Sequence, residues 1–231
     1  MLPDLTLRAD LRELMDSSDV PEAELTEALA FLETVNRRLG GYSIFFSKLR
    51  RWTQKGSAAT ILDAGTGGAD LPLALERWGR QHGVSLKVTG LDADAAVIRL
   101  ARRRAPHLEL IQDSISALAA TGRTFDFVIS SLTLHHVPEP ALPRVLRDLD
   151  RMARRGLVVG DLRRSALGWA GVTALTALFG NRVTRHDGPV SFRRALTVPE
   201  AAELVRRTGL PHLAAAAEPM FRLSVSGRKD G

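Results

Sequence analysis

From Ala58 onward, short apolar runs alternate with amphipathic stretches, and this rhythm limits the fold more than any other feature of the chain. ATILDAG carries no charge until its end, as a buried parallel strand should. SLKVTGLD, HLELIQD, FDFVISSLTL and GLVVGDL read as four further strands. Between them Leu71 to Trp78, ADAAVIRLARRRAP and Pro138 to Arg154 read as helices, the last through Leu142, Val145, Leu146 and Leu149. Strands and helices alternating at this spacing predict an α/β fold built on a doubly wound, mostly parallel sheet. TVPEAAELVRRTGL restarts the rhythm with a helix whose Thr197 and Glu200 stand in capping-box spacing. HLAAAAE and MFRLSVSGRK close the chain as two strands. Little more than Pro219 separates them, which allows them to pair antiparallel.

Two segments stand outside this rhythm. Residues 1–57 form a helical preface: Asp19-Val20-Pro21-Glu22 reads as a helix start, and Leu25, Leu29, Leu32, Val35 and Leu39 share one face. Gly40-Gly41 ends that helix, and the aromatic, basic YSIFFSKLRRW follows. Residues 163–196 are an insert. Its first part, Ser165 to Asn181, has no charge, but a membrane span needs about 20 apolar residues and this stretch holds Gly168, Gly171 and several Thr. A lid helix is expected there. The expected organisation is therefore a helical cap over 1–57 and one main domain over 58–231 with a lid insert at about 163–196.

Composition removes several functions. There is no cysteine, so disulfides, thiolate zinc sites and cysteine nucleophiles are excluded. No metal site is expected. The start, MLPDLTLRAD, carries acids early and no apolar run, unlike a secretory signal. A cytoplasmic location is expected. The net charge of +6 comes almost wholly from Arg, spread in short groups such as ARRRAP and DLRRSA. No long basic block or aromatic-interleaved patch points to nucleic acid.

The loop LDAGTGGAD joins the first strand to its helix, where open α/β sheets bind ligands. Gly65, Gly67 and Gly68 let the backbone turn sharply and approach a ligand. A dinucleotide site wants a G-x-G-x-x-G run. Here Asp70 takes the last glycine position and Asp63 precedes the loop, so a pyrophosphate would meet two carboxylates. A P-loop is excluded because no Gly-Lys-Ser/Thr follows. Carboxylates suit a cationic, phosphate-free ligand.

LDAGTGGAD resembles the first motif of the class I S-adenosylmethionine (SAM)-dependent methyltransferases, an acid-x-Gly-x-Gly loop. Asp92 at the end of SLKVTGLD, Asp113 after HLELIQD, and FDFVISSLTLHHV resemble the motifs that follow it in order. The resemblance covers about residues 58–162 well and the rest loosely. It implies a Rossmann-like seven-stranded sheet with an antiparallel last strand, SAM as cofactor and S-adenosylhomocysteine as product. It implies that Asp63, Gly65, Thr66, Gly67 and Asp70 meet the cofactor, together with Asp92 and Ala93 at the ribose, Asp113 and Ser114 at the adenine, and Ser130 near the methyl group.

The methyl acceptor is less legible. The Asp/Asn-Pro-Pro-Tyr/Phe motif of adenine and cytosine amino-methylation is absent; Ser130-Ser131-Leu132-Thr133 stands there. His is the natural base near neutral pH, so His135 and His136 after the fourth strand, and His186 in VTRHDGPVSFRRAL, are candidate catalytic residues. Only one of two adjacent histidines is expected to face the acceptor. Arg185, Ser191 and Arg194 are candidate acceptor contacts, in a polar loop with Asp187-Gly188 as a possible turn. The apolar lid and the aromatic preface (Tyr42, Phe45, Phe46, Trp52) point to a small aromatic or lipophilic acceptor, methylated at oxygen. Carbon or nitrogen methylation of a quinone precursor or another small molecule, a SAM-binding protein without catalysis, and an RNA methyltransferase stay open. Peripheral membrane contact and the oligomeric state are open as well.

Overall fold

The computed structural model describes residues 3–17 and 19–229. Seven strands form one sheet: β1 (Ala58–Ala64), β2 (Ser85–Asp92), β3 (Glu109–Gln112), β4 (Phe125–Ser131), β5 (Ala153–Leu162), β6 (Ala214–Glu218) and β7 (Arg222–Arg228), in the order β3-β2-β1-β4-β5-β7-β6. β1 to β5 are parallel. β7 pairs antiparallel with β5, and β6 antiparallel with β7, so the final two strands form the expected pair. The order reverses between β1 and β4, which places the ligand crevice at the carboxyl ends of those strands.

Period-two alternation assigns the two faces. Leu62, Val128, Leu157 and Val159 meet α5 (Ile115–Ala120), α6 (Leu142–Met152) and α9 (Val198–Thr208). Ile61, Val88, Phe127, Ile129 and Val158 meet α2 (Ser43–Trp52) and α3 (Asp70–His82). Fully burying each such side chain contributes about 1.5–3 kcal/mol. α4 (Ala95–Arg104) packs beside them through Ile98 and Ala101 against Leu110.

The preface divides between two places. α1 (Glu22–Arg38) overhangs the crevice through Leu29, Leu32 and Asn36. α2 instead belongs to the sandwich. Gly156 and Gly160 on β5 leave room for it: an added Cβ would stand 2.9 Å from the Trp52 ring and 3.0 Å from Phe45. Trp52 stacks on Phe127 at 5.7 Å and Phe46 on Trp78 at 5.9 Å. Tyr42, Phe45, Phe46 and Trp52 are therefore core packing and line neither cavity, contrary to the reading from sequence.

The insert is helical throughout. α7 (Ala166–Phe179) is capped by Ser165. The segment read as a polar loop is α8 (Arg182–Arg194), despite Gly188-Pro189 inside it. Its asparagine cap, Asn181, accepts the Thr184 N–H at 3.0 Å, and its inner face buries Val183, Asp187, Ser191, Phe192 and Arg194. Those contacts outweigh the local helix breaker, which costs about 3 kcal/mol in a helix interior. α5 was not legible because six residues, ISALAA, offer no polar face to set a period. Among the described residues no helix is long and apolar enough to cross a membrane.

Candidate active site

At the end of β1 the chain leaves the sheet at Asp63 and turns through Gly65 (φ +78°) and Gly67 (φ +53°) into α3. Gly65 has no alternative residue: a Cβ would lie 2.2 Å from Thr133 Oγ1. The loop is fixed by its own hydrogen bonds. The Gly65 and Thr66 N–H groups donate to the Leu91 carbonyl at 2.8 and 2.9 Å, and the Gly67 N–H donates to Asp92 Oδ2 at 3.0 Å. Thr66 Oγ1 donates to Asp63 Oδ2 at 2.9 Å, whereas Asp63 Oδ1 is buried with no hydrogen-bond partner. Burial pushes the Asp63 carboxyl up to about 8, and it raises Asp92 and Asp70 as well. Tyr42 donates to Asp70 Oδ2 at 2.6 Å, so half of that carboxylate is already engaged.

These groups line a cleft of about 610 Å³ together with Thr66, Gly68, Ala93, Asp113, Ser114, Ser131 and Thr133. The sequence-expected set Asp63, Gly65, Thr66, Gly67, Asp70, Asp92, Ala93, Asp113 and Ser114 thus converges on one cleft. Ser130 does not join them. It is fully buried, and its hydroxyl donates to the Ala64 carbonyl at 2.8 Å. Strand alternation turns it away from the cleft and presents Ser131 instead. The cleft fits SAM: it offers an orphan buried carboxylate oxygen for an ammonium, a carboxylate at the second strand end for hydroxyl donors, and no cationic side chain on the glycine loop.

A second cavity, of about 340 Å³, adjoins the cleft and shares Met15, Leu32, Leu132 and His136 with it. Leu132 holds a left-handed backbone (φ +54°), a conformation that costs a side-chain-bearing residue about 1–3 kcal/mol. The wall is formed by Phe31, Val35, Leu39, Val172, Leu175 and Phe192, with Glu13, His135 and Ser191 among its polar members. α7 and α8 supply one side of this cavity through Val172, Leu175, Ser191 and Phe192, and α1 supplies another through Phe31, Leu32 and Val35.

The two adjacent histidines both face this cavity, because a 3₁₀ turn rather than a strand carries them and brings their rings within 4.3 Å. His135 is buried, and its Nδ1 lies 2.6 Å from Asp161 Oδ1. His136 Nδ1 lies 2.9 Å from Asp16 Oδ1. Asp161 sits below the usual carboxylate range: burial works against its charge, but the His135 ring and the backbone N–H groups of Leu162 and His135 prevail. Asp16 is lowered to about 2, where burial again opposes and hydrogen bonds from His136 and Arg194 prevail. Ionised carboxylates only accept, so each Nδ1 carries a proton and each Nε2 is the free edge. Glu13 stands between those edges, and burial raises it to about 7.

Three sequence expectations are corrected. Arg185 and His186 lie on the exposed outer side of α8 and line neither cavity. His186 does pair with Asp187 at 2.7 Å, but that carboxylate is held by the Leu14 and Met15 N–H groups at 2.7 and 2.9 Å. Asp187 anchors the N-terminal segment, and His186 is not an oriented base of either cavity. Arg194 is buried and points beneath the histidines, donating to the carbonyls of His135 (3.0 Å) and His136 (2.9 Å), so it positions them and does not reach the acceptor cavity. Ser191 does line that cavity.

Sequence reasoning missed Glu13, Asp16 and Asp161. Asp161 ends an apolar strand, as Asp63 and Asp92 do, and that signal was present in GLVVGDL. Glu13 and Asp16 carried none. They reach the site because Asp187 fixes their turn and Arg8 ties the same segment to the carbonyls of Arg194, His135 and Val137.

The sequence profile described as "Methyltransferase domain" matches residues 61–156. A curated relative, the trans-aconitate 2-methyltransferase of Azoarcus sp. (strain BH72), is 33% identical over 95 residues, covering 40% of this chain and 35% of that protein. The chain thus spans about a third of the length of that relative. Among solved structures, the plantazolicin methyltransferase BpumL, in complex with a triazolic desmethylplantazolicin analog and S-adenosylhomocysteine, superposes with a TM-score of 0.65 at 14% identity, over 93% of each chain. A putative O-methyltransferase from Nostoc punctiforme gives a TM-score of 0.64 at 15% identity, over 96% of this chain and 64% of that one. Residues 61–156 thus match a methyltransferase domain, and the sheet order and superpositions give the chain the fold of the class I SAM-dependent methyltransferases. The cofactor of that class is SAM.

Proposed function

We propose that the protein transfers the methyl group of SAM to an oxygen of a small, largely apolar acceptor held in the second cavity. The observation that carries this reading is the adjacency of the two cavities: Leu132 and His136 line both. When bound, SAM supplies an electrophilic methyl on a sulfonium. Asp63 would hold its ammonium through the unpartnered Oδ1, Asp92 its ribose hydroxyls, and Asp113 with Ser114 its adenine edge. Leu132 and the lid exclude water from the gap between the cavities, and alignment of the two reactants there lowers the barrier. The acceptor hydroxyl must lose its proton. His136 Nε2 is the free edge nearest the cofactor cleft, and Asp16 on Nδ1 keeps it the acceptor.

The names of the similar proteins do not choose the acceptor: an azole-containing natural-product analog and trans-aconitate share no scaffold. The cavity wall does narrow it. Phe31, Leu32, Val35, Leu39, Val172, Leu175 and Phe192 match an aromatic or alkylated compound better than a polyanion. The test is turnover of labelled SAM against a panel of alkylphenols, hydroxyquinones and aromatic acids. Labelled ethers or esters and released S-adenosylhomocysteine are expected. Carbon- or nitrogen-linked products would replace the oxygen assignment, and cofactor binding without product from any panel member would remove the catalytic one.

A further inference from the structure

Three groups that the sequence places far apart meet at one point of the second cavity. The Nε2 atom of His135 lies 3.7 Å from Glu13 Oε1, and the Nε2 atom of His136 lies 3.8 Å from Glu13 Oε2. These separations are too long for hydrogen bonds. They are close to the ~3.3–3.4 Å edge of a tetrahedron built on metal–ligand bonds of about 2.0–2.1 Å. One ligand atom from each of the three residues falls within 4.8 Å of the others.

The surroundings of the three groups are those of a metal centre. Each imidazole donates its Nδ1 proton to a carboxylate, Asp161 at 2.6 Å and Asp16 at 2.9 Å, which fixes the tautomer and leaves both Nε2 lone pairs turned the other way. Carboxylate–histidine pairs of this kind orient metal-ligating histidines. Arg194 stands 3.5 Å from Glu13 Oε1, and it offsets only part of the negative charge of Glu13, Asp16 and Asp161. Glu13 and His135 are both buried. All three candidate ligands line the acceptor cavity, so the remaining coordination positions open toward whatever occupies it. Three protein ligands and an open side mark a catalytic rather than a structural site.

We propose that Glu13, His135 and His136 bind one divalent first-row transition-metal ion, of the zinc or iron(II) kind, with its open positions facing the acceptor cavity. Two imidazoles and one carboxylate are a donor set for those ions, whereas magnesium and calcium take oxygen ligands. Binding of the ion does not depend on the methyl-transfer reading. If both hold, the ion would ligate the acceptor oxygen and lower the pKa of its hydroxyl so that the proton leaves to water, and the imidazoles would serve as ligands rather than as the base while the ion is present.

The test uses tag-free full-length protein stripped with a chelator. Titration with Zn²⁺ in a calorimeter, and with Co²⁺ followed by its visible absorption, should show one ion per chain. Glu13→Gln and His136→Gln should each weaken binding at least tenfold, and His186→Asn, outside the site, should leave it unchanged. Circular dichroism melts show whether each variant is folded, and the Co²⁺ spectrum of the unaltered protein reads nitrogen ligation without any substitution. No saturable uptake at one ion per chain overturns the site, and so does unchanged affinity in both folded variants. The methyl-transfer reading is scored separately: turnover that persists in chelator keeps the reaction and removes the ion's part in it, while the site stands or falls on the titrations. An ion bound at these residues without product from any acceptor keeps the site and removes the reaction.

Discussion

The glycine-loop cleft and the second cavity, the proposed acceptor side, share a wall but are built in opposite ways. The cleft is local: Asp63 to Asp70 are contiguous, and Asp92 and Asp113 each end or follow a neighbouring parallel strand. The acceptor side is assembled over long distances. Asp187 holds the Leu14 N–H across 173 residues of sequence, Arg194 reaches Asp16 across 178, and Asp161 fixes the His135 ring across 26.

This contrast can be broken experimentally, beginning where the effect is largest. Gly65→Ala places a Cβ on Thr133 at a positive φ, so the cleft should lose SAM affinity and the fold about 2–4 kcal/mol. Thermal unfolding and calorimetric SAM titration measure both. A well-folded variant with full affinity would show that the loop and the Thr133 turn are not tightly coupled.

Asp63→Asn should cut SAM affinity about ten- to a hundredfold, the worth of a charge-assisted hydrogen bond of about 1.5–3 kcal/mol. Ligand-free stability at neutral pH should rise, because Asn removes the cost of protonating in the fold a carboxyl that is ionised in the unfolded chain. The sign follows from the raised carboxyl. With Asp63 pushed up to about 8, the free protein carries it protonated at pH 7, while an ammonium ligand favours the ionised form. SAM binding at pH 7 should therefore release a proton, and affinity should climb from pH 6 to pH 8. Binding heats in buffers of different ionisation enthalpy read the proton directly, and Asp63→Asn should flatten the profile.

Arg194→Gln acts on the histidine turn and on Asp16, at the wall that the two cavities share. It should lower kcat about ten- to a hundredfold by loosening the histidine turn, with SAM affinity within about twofold of the parent. Equal losses in both would mean that the two halves are one mechanical unit. The smallest effect belongs to His186→Ala. Stability should stay within about 0.5 kcal/mol and turnover within about twofold, because the ring is half in solvent on the outer side of α8.

The same contrast explains what could be read in advance. The sheet, its doubly wound helices and the antiparallel final pair follow from period-two and period-3.6 patterns, which are local. The residues that line the cleft followed from strand ends, apart from Ser130, whose neighbour Ser131 alternation places there instead. The acceptor side escaped for physical reasons. The order of His135-His136 in a 3₁₀ turn, the helix that runs through Gly188-Pro189, and the docking of Glu13 and Asp16 are all tertiary effects overriding local preference. Tyr42, Phe45, Phe46 and Trp52 show the converse error: an aromatic cluster reads the same whether it faces a ligand or a sheet.

The anchoring of the Leu14–Asp16 turn on Asp187 also sets an order of events during synthesis. The ribosome releases Leu14 173 residues before Asp187, and Glu13 181 residues before Arg194. By then the glycine turn and the strands that frame it are already outside. The glycine turn can thus take shape well before α8 exists, whereas the Leu14–Asp16 turn must wait for Asp187 before it can dock.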